Sequence, residues 1–112
     1  MPFIDVKTNA KLDADKEKEI KSRLGEAVSI LPGKSENWLM VNIEDCSRLY
    51  FRGSADTVNA IAEIKLFGSA DADAYEKMTA AVCEILREAA GAEEVYVKYE
   101  EVRCWGYNGS NF

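Results

Sequence analysis

Residues 58–102 read VNAIAEIKLFGSADADAYEKMTAAVCEILREAAGAEEVYVKYEEV, and three elements follow from their periodicity. Val58 to Phe67 is a strand carrying Ile61 and Ile64, and Gly68-Ser69 turns the chain out of it. A helix is expected from about Ala72 to Ala90. Its buried face is Tyr75, Met78, Val82, Ile85, Leu86 and Ala89, which recur at helical spacing. Gly91 is placed to stop it, because glycine accepts the left-handed backbone that ends many helices. Val95 to Val102 then alternates as a second strand. Two long strands joined through a helix lie parallel, with a right-handed crossover.

The first half of the chain has the same order. Pro2 to Lys7 alternates and carries Phe3, Ile4 and Val6. Asp13 and Asp15 can cap a helix and suit its positive end. Ile20, Leu24, Ala27, Val28 and Leu31 share one face of that helix, and the charge run from Lys16 to Arg23 occupies the rest. Pro32-Gly33 ends it. Trp38 to Glu44 is a strand with Trp38, Met40, Asn42 and Glu44 on one side and Leu39, Val41 and Ile43 on the other. Arg48 to Arg52 reads as an extra short strand closed by Gly53-Ser54, and the tail from Cys104 to Phe112 is aromatic and rich in Gly and Asn. Two β-α-β units side by side give an α+β fold: a two-layer sandwich with a four-stranded mixed sheet and both helices on one face. The other sheet face is expected to be bare and substantially apolar, so that a partner must cover it; a homo-oligomer is the simplest cover.

The 112 residues suit one domain spanning 1–112. The net charge of −6 argues against a nucleic-acid partner, which needs clustered cations. No apolar run is long enough to span a membrane, and the N-terminus lacks a signal-peptide layout. A cytoplasmic location is expected, with export without a signal peptide left open. Cys46, Cys83 and Cys104 have no C-x-x-C spacing and read as reduced thiols, with no metal site. Histidine is absent, which removes Ser-His-Asp triads, Cys-His pairs and the commonest general base.

Any proton chemistry must then use a less usual group. An initiator Met followed by Pro is usually trimmed in cells, which would leave Pro2 with a free secondary amine. An α-amino group titrates at about 7.7–8.0. Apolar surroundings and a nearby cation both push that value down, towards a neutral base at cell pH. The plainer reading is that Pro2 stiffens the entry to a strand.

The M-P-F-I start, Gly33-Lys34 after the first helix, the strand Trp38–Glu44, F-R-G-S at 51–54, E-V-Y-V-K-Y at 94–99 and the tail W-G-Y-N-G-S-N-F at 105–112 meet in one order. Together they resemble the macrophage migration inhibitory factor family of the tautomerase superfamily, over essentially the whole chain. The resemblance implies a homotrimer with active sites at the subunit interfaces. It also implies cofactor-independent keto–enol tautomerisation of phenylpyruvate-like α-keto acids. Residue by residue, Pro2 matches the catalytic proline and Lys34 the lysine that contacts the substrate carboxylate. Phe67 matches the last apolar residue of a strand whose backbone meets the substrate, with Ile64 or Leu66 as the alternative. Tyr96 matches a pocket tyrosine from a neighbouring subunit. Lys98 falls where vertebrate members carry Asn; it is either a second cation for the substrate or an outward strand residue. Trp105, Tyr107 and Phe112 match the aromatic wall, and vertebrate members carry Val at the Trp105 position. Thr57-Val58-Asn59-Ala60 replaces a C-x-x-C that some members have, so a thiol–disulfide activity does not carry over. The other function that the resemblance implies is a cytokine or host-receptor ligand whose pocket is vestigial.

Overall fold

The computed structural model describes residues 1–112. In chain order the elements are β1 (Pro2–Thr8), α1 (Ala14–Ala27), β2 (Met40–Glu44), β3 (Asn59–Phe67), α2 (Ala72–Ala90), β4 (Glu94–Val102), and a small hairpin of β5 (Gly106–Tyr107) and β6 (Ser110–Asn111). Both helices start on an aspartate that satisfies a free backbone donor. The Asp13 carboxylate accepts from the Lys16 N–H and that of Asp71 from the Ala74 N–H, each at 2.8 Å. Helix α2 stops at Gly91, whose φ of 71° is left-handed. The Gly91 and Ala92 N–H groups then donate back to the Arg87 and Leu86 carbonyls. Helix α1 tightens into a 3₁₀ turn at Val28–Ile30.

The sheet order is β2-β1-β3-β4. Strands β1 and β2 are parallel, as are β3 and β4, and β1 meets β3 antiparallel, so the sheet is mixed as expected from two β-α-β units. Alternation along β1 and β3 sends Ile4, Val6, Ala62, Ile64 and Leu66 to the helix side, where Ile20, Leu24, Met78, Val82 and Leu86 meet them. All ten are completely buried. Fully burying a side chain of this size contributes roughly 1.5–3 kcal/mol, so this layer holds the two halves together. Thr8 and Asn59 are the polar members of the interior, and the Thr8 hydroxyl donates to the Asn59 carbonyl at 2.7 Å.

Three expectations are corrected. The second strand begins at Met40, because Glu36–Trp38 forms a 3₁₀ turn that swings Trp38 out of the sheet. Arg48–Arg52 is not a strand: Phe51 and Ser54 exchange backbone hydrogen bonds at 2.8 and 3.0 Å across a tight Arg52-Gly53 turn. Its residues find no sheet edge to join. The open sheet face is also not substantially apolar. Register places Asn42, Asp5, Glu63 and Lys98 in one row across it, with Lys7 beside them. Lys7 bridges Asp5 at 2.8 Å and Glu63 at 3.9 Å, and Asn42 donates to Asp5 at 2.9 Å. Burial works against ionisation of Asp5, but the bonds from Asn42 and Lys7 outweigh it and hold its carboxyl below the usual range. Apolar residues on this face stand towards its ends, with Phe3, Met40 and Phe67 at one and Ile61 and Tyr96 at the other. Neither helix is long and apolar enough to cross a membrane.

Candidate active site

The start of β1 lies beside the end of β3, because Pro2 pairs with Leu66. Pro2 has no N–H to give to that ladder, and it sits at the strand's first residue, where none is needed. With Met1 attached, the Pro2 nitrogen is an amide and cannot act as a base. The Met1 carbonyl accepts from the Phe67 N–H at 3.0 Å. The Met1 amine titrates below its ordinary value, first through burial and then through repulsion from the Lys34 ammonium. The Met1 amine therefore meets both conditions that favour its neutral form.

Lys34 reaches this point through a turn. The Lys34 N–H donates to the Leu31 carbonyl at 3.1 Å, with Pro32 and Gly33 at the central positions. Gly33 has φ 77°, which the second central position of a type II turn requires. The Lys34 ammonium then donates to the Phe67 carbonyl at 2.7 Å. One cation and both backbone polar groups of Phe67 thus converge on the Met1–Pro2 junction. Ile64 and Leu66, the alternatives for the Phe67 position, are completely buried on the helix side and cannot face a ligand.

Aromatic side chains wall this end of the molecule. A cavity of about 500 Å³ lies between Pro2, Trp38, Met40, Trp105 and Tyr107, with Met1 at its edge. Phe67 and Phe112 lie with their ring centres 6.2 Å apart, and Tyr107 is 6.3 Å from Phe112. The tail holds its place through the β5–β6 hairpin, which turns on Asn108 (φ 46°) and Gly109 (φ 100°). Asn-Gly is the favoured pair for such a two-residue turn, a signal the sequence reading passed over. Past the hairpin, the Phe112 N–H donates back to the Trp105 carbonyl at 3.0 Å.

Trp38 is a further wall residue that reading it as part of a strand concealed. It meets Tyr107 edge-on at 5.2 Å and Phe112 at 6.2 Å. Its sequence signal was a large aromatic a few residues after the helix-ending Pro32-Gly33, and in the fold it is about half exposed.

Tyr96 and Lys98 lie elsewhere in the same chain. Tyr96 pairs with Ile61, six residues along β3 from Phe67, or about 20 Å at 3.3 Å per residue. It is 64% exposed and packs edge-on against Phe51 at 5.7 Å. Lys98 bridges Glu63 at 3.3 Å and Glu100 at 3.2 Å on the open sheet face. One chain therefore gathers Pro2, Lys34, Phe67, Trp105, Tyr107 and Phe112 at one end, and leaves Tyr96 and Lys98 away from them. No three His, Cys, Asp or Glu side chains converge in a metal-binding arrangement.

The fold is shared with solved structures over nearly the full chain. MIF2 of Leishmania major is 25% identical, with a TM-score of 0.91 over 100% of this chain and 97% of its own. The macrophage migration inhibitory factor-like protein of Entamoeba histolytica is 24% identical, with a TM-score of 0.87 over 99% and 98%. Pt0534, whose structure was solved after inactivation by 2-oxo-3-pentynoate, is 18% identical, with a TM-score of 0.84 over 96% and 93%. No curated protein sequence matches the chain. The profile of macrophage migration inhibitory factor (MIF) matches residues 1–112, and on that match the chain belongs to the MIF family.

Proposed function

We propose that the protein, once Met1 is removed, is a keto–enol tautomerase for phenylpyruvate-like α-keto acids, with the Pro2 amine as general base and acid. The observation that carries this reading is the convergence of Lys34 and the Phe67 backbone on the Met1–Pro2 junction. Removing Met1 frees the Phe67 N–H of its only acceptor. This freed N–H and the Lys34 ammonium, which donate side by side, together favour an anion at that point. A substrate carboxylate satisfies both. The aromatic wall of Trp38, Trp105 and Tyr107 then takes the aryl group and keeps the dielectric around the amine low.

In the proposed reaction the neutral Pro2 amine takes the proton from the carbon next to the carbonyl. The C–H electron pair forms the carbon–carbon double bond, and the carbonyl pair moves to oxygen. The protonated ring nitrogen returns the same proton to that oxygen, so the product is an isomer and nothing else is consumed. A positioned base contributes about 10²–10⁴-fold in rate, and holding the carboxylate fixes the orientation that proton transfer requires. The inactivation of Pt0534 by 2-oxo-3-pentynoate fits this reading, since that reagent also bears a carboxylate beside a carbonyl.

A homotrimer completes the site in this proposal. Tyr96, exposed and about 20 Å from Phe67 within one chain, would enter the neighbouring subunit's cavity. The test compares phenylpyruvate enol–keto conversion by Met1-free protein with that by Pro2→Gly. A drop of a hundredfold or more supports the amine as base; equal rates remove it from the mechanism.

A further inference from the structure

Lys98 is the cation that the sequence offers beside Tyr96, but Glu63 and Glu100 already neutralise it. A second cation is linked to Tyr96 through the Phe51 ring. The Arg52 guanidinium lies 4.9 Å over the Phe51 ring, and Phe51 in turn meets Tyr96 at 5.7 Å. None of the chain's ion pairs includes Arg52. Its backbone is held by the reciprocal Phe51–Ser54 bonds, and at φ 51° it occupies a left-handed position that glycine would fill with less strain. A strained, unpaired arginine stacked on an aromatic ring offers its N–H donors to a planar anion. Its fork of donors matches a carboxylate.

We infer that Arg52 is a specificity residue, contributed across the subunit interface, which receives a second acidic group at the end of the substrate far from Lys34. The inference rests on the proposed tautomerase reading, in which Tyr96 enters the neighbouring site. If the Tyr96 ring lies along the body of the substrate, Phe51 comes next and Arg52 lies one ring further out. Lys34 holds the inner carboxylate, so Arg52 faces the distal end. The substrate class is then a 2-oxo acid with a second carboxylate, of which 4-carboxyphenylpyruvate is a convenient probe.

The experiment measures kcat/KM for 4-carboxyphenylpyruvate and for phenylpyruvate with Met1-free protein, and with Arg52→Ala, Arg52→Lys and Arg52→Gly. The expected result is a wild-type preference for the diacid. The ratio of the two constants should fall at least tenfold in Arg52→Ala and Arg52→Gly, and less in Arg52→Lys, which keeps the charge but loses the fork. Arg52→Gly also relieves the left-handed backbone, so its melting temperature should not fall, which separates lost specificity from unfolding. Trimers mixed from Pro2→Gly and Arg52→Ala chains should regain diacid preference, because an intact Pro2 then meets an intact Arg52 from its neighbour. Phenylpyruvate turnover with a ratio that Arg52→Ala does not change overturns the inference alone, and a lost ratio that mixed trimers do not restore overturns its placement across the interface. No difference between wild type and Pro2→Gly on either substrate overturns the tautomerase reading, and the inference with it.

Discussion

Replacing Lys34 with alanine removes two separate effects, and they can be read in one experiment. The first is binding. The Lys34 ammonium is half-buried and already makes a short bond, 2.7 Å, to the Phe67 carbonyl beside Pro2. A hydrogen bond to a charged partner contributes about 1.5–3 kcal/mol. At 1.4 kcal/mol per factor of ten, losing the bond to a substrate carboxylate should lower kcat/KM roughly 10- to 150-fold. Partial exposure of Lys34 puts the result towards the lower end, and most of it should appear in KM. The second effect is on the base. The Met1 amine is lowered by burial first and by Lys34 second, and the proposal puts the Pro2 amine, one residue on, under the same two influences. In the proposed mechanism the neutral amine is the active form, so the rate should rise as pH rises through that lowered pKa. Without Lys34 the rising limb should move to higher pH, but stop short of the ordinary α-amino range of about 7.7–8.0, because burial remains. Lys34→Arg keeps the charge and should leave the limb nearly in place. The assay is enol–keto conversion of phenylpyruvate across about pH 5–9, a span that includes that amine range, with urea unfolding to confirm that each variant is folded. A KM within twofold of wild type together with an unmoved limb would refute both roles of Lys34.

Two further substitutions test what positions the site. Gly91→Ala puts a side chain on a backbone of φ 71° at the end of α2; stability should fall by about 1 kcal/mol in denaturant unfolding, with phenylpyruvate KM unchanged. Gly109→Ala strains the hairpin turn at φ 100°; the aromatic near-ultraviolet dichroism of the tail should weaken and KM should rise, while the unfolding midpoint of the core stays close to wild type.

Much of the fold was legible because long periodic segments leave few alternatives. Helix α2 runs from Ala72 to Ala90 as its spacing and its Gly91 stop indicate. Short segments behaved differently. Arg48–Arg52 alternates like a strand, but a strand needs a partner edge, and two positive-φ residues at Arg52 and Gly53 fold it back on itself instead. Trp38 was hidden because its side in an extended strand looked fixed, whereas a 3₁₀ turn at Glu36–Trp38 sends it to the aromatic wall. The open sheet face was misjudged because an apolar count along single strands does not show rows across them. Asp5, Glu63 and Lys98 become neighbours only through register.

The candidate site was legible to a different degree. Periodicity gave no reason to place Lys34 beside Pro2, since 31 residues lie between them; the Pro32-Gly33 turn and the β1–β3 pairing do that. What connected them in advance was resemblance across the whole chain. Lys98 shows the limit of carrying a position over: its neighbours on this sheet are Glu63 and Glu100, and these decide its immediate partners.

The account depends on an amine that is uncharged at neutral pH. Nitrogen-15 NMR of Met1-free protein labelled at proline measures this directly, since the Pro2 nitrogen shifts as it loses its proton. The account predicts a midpoint clearly below the ordinary α-amino range of about 7.7–8.0, rising in Lys34→Ala. A midpoint within or above that range, with no response to Lys34→Ala, would contradict it.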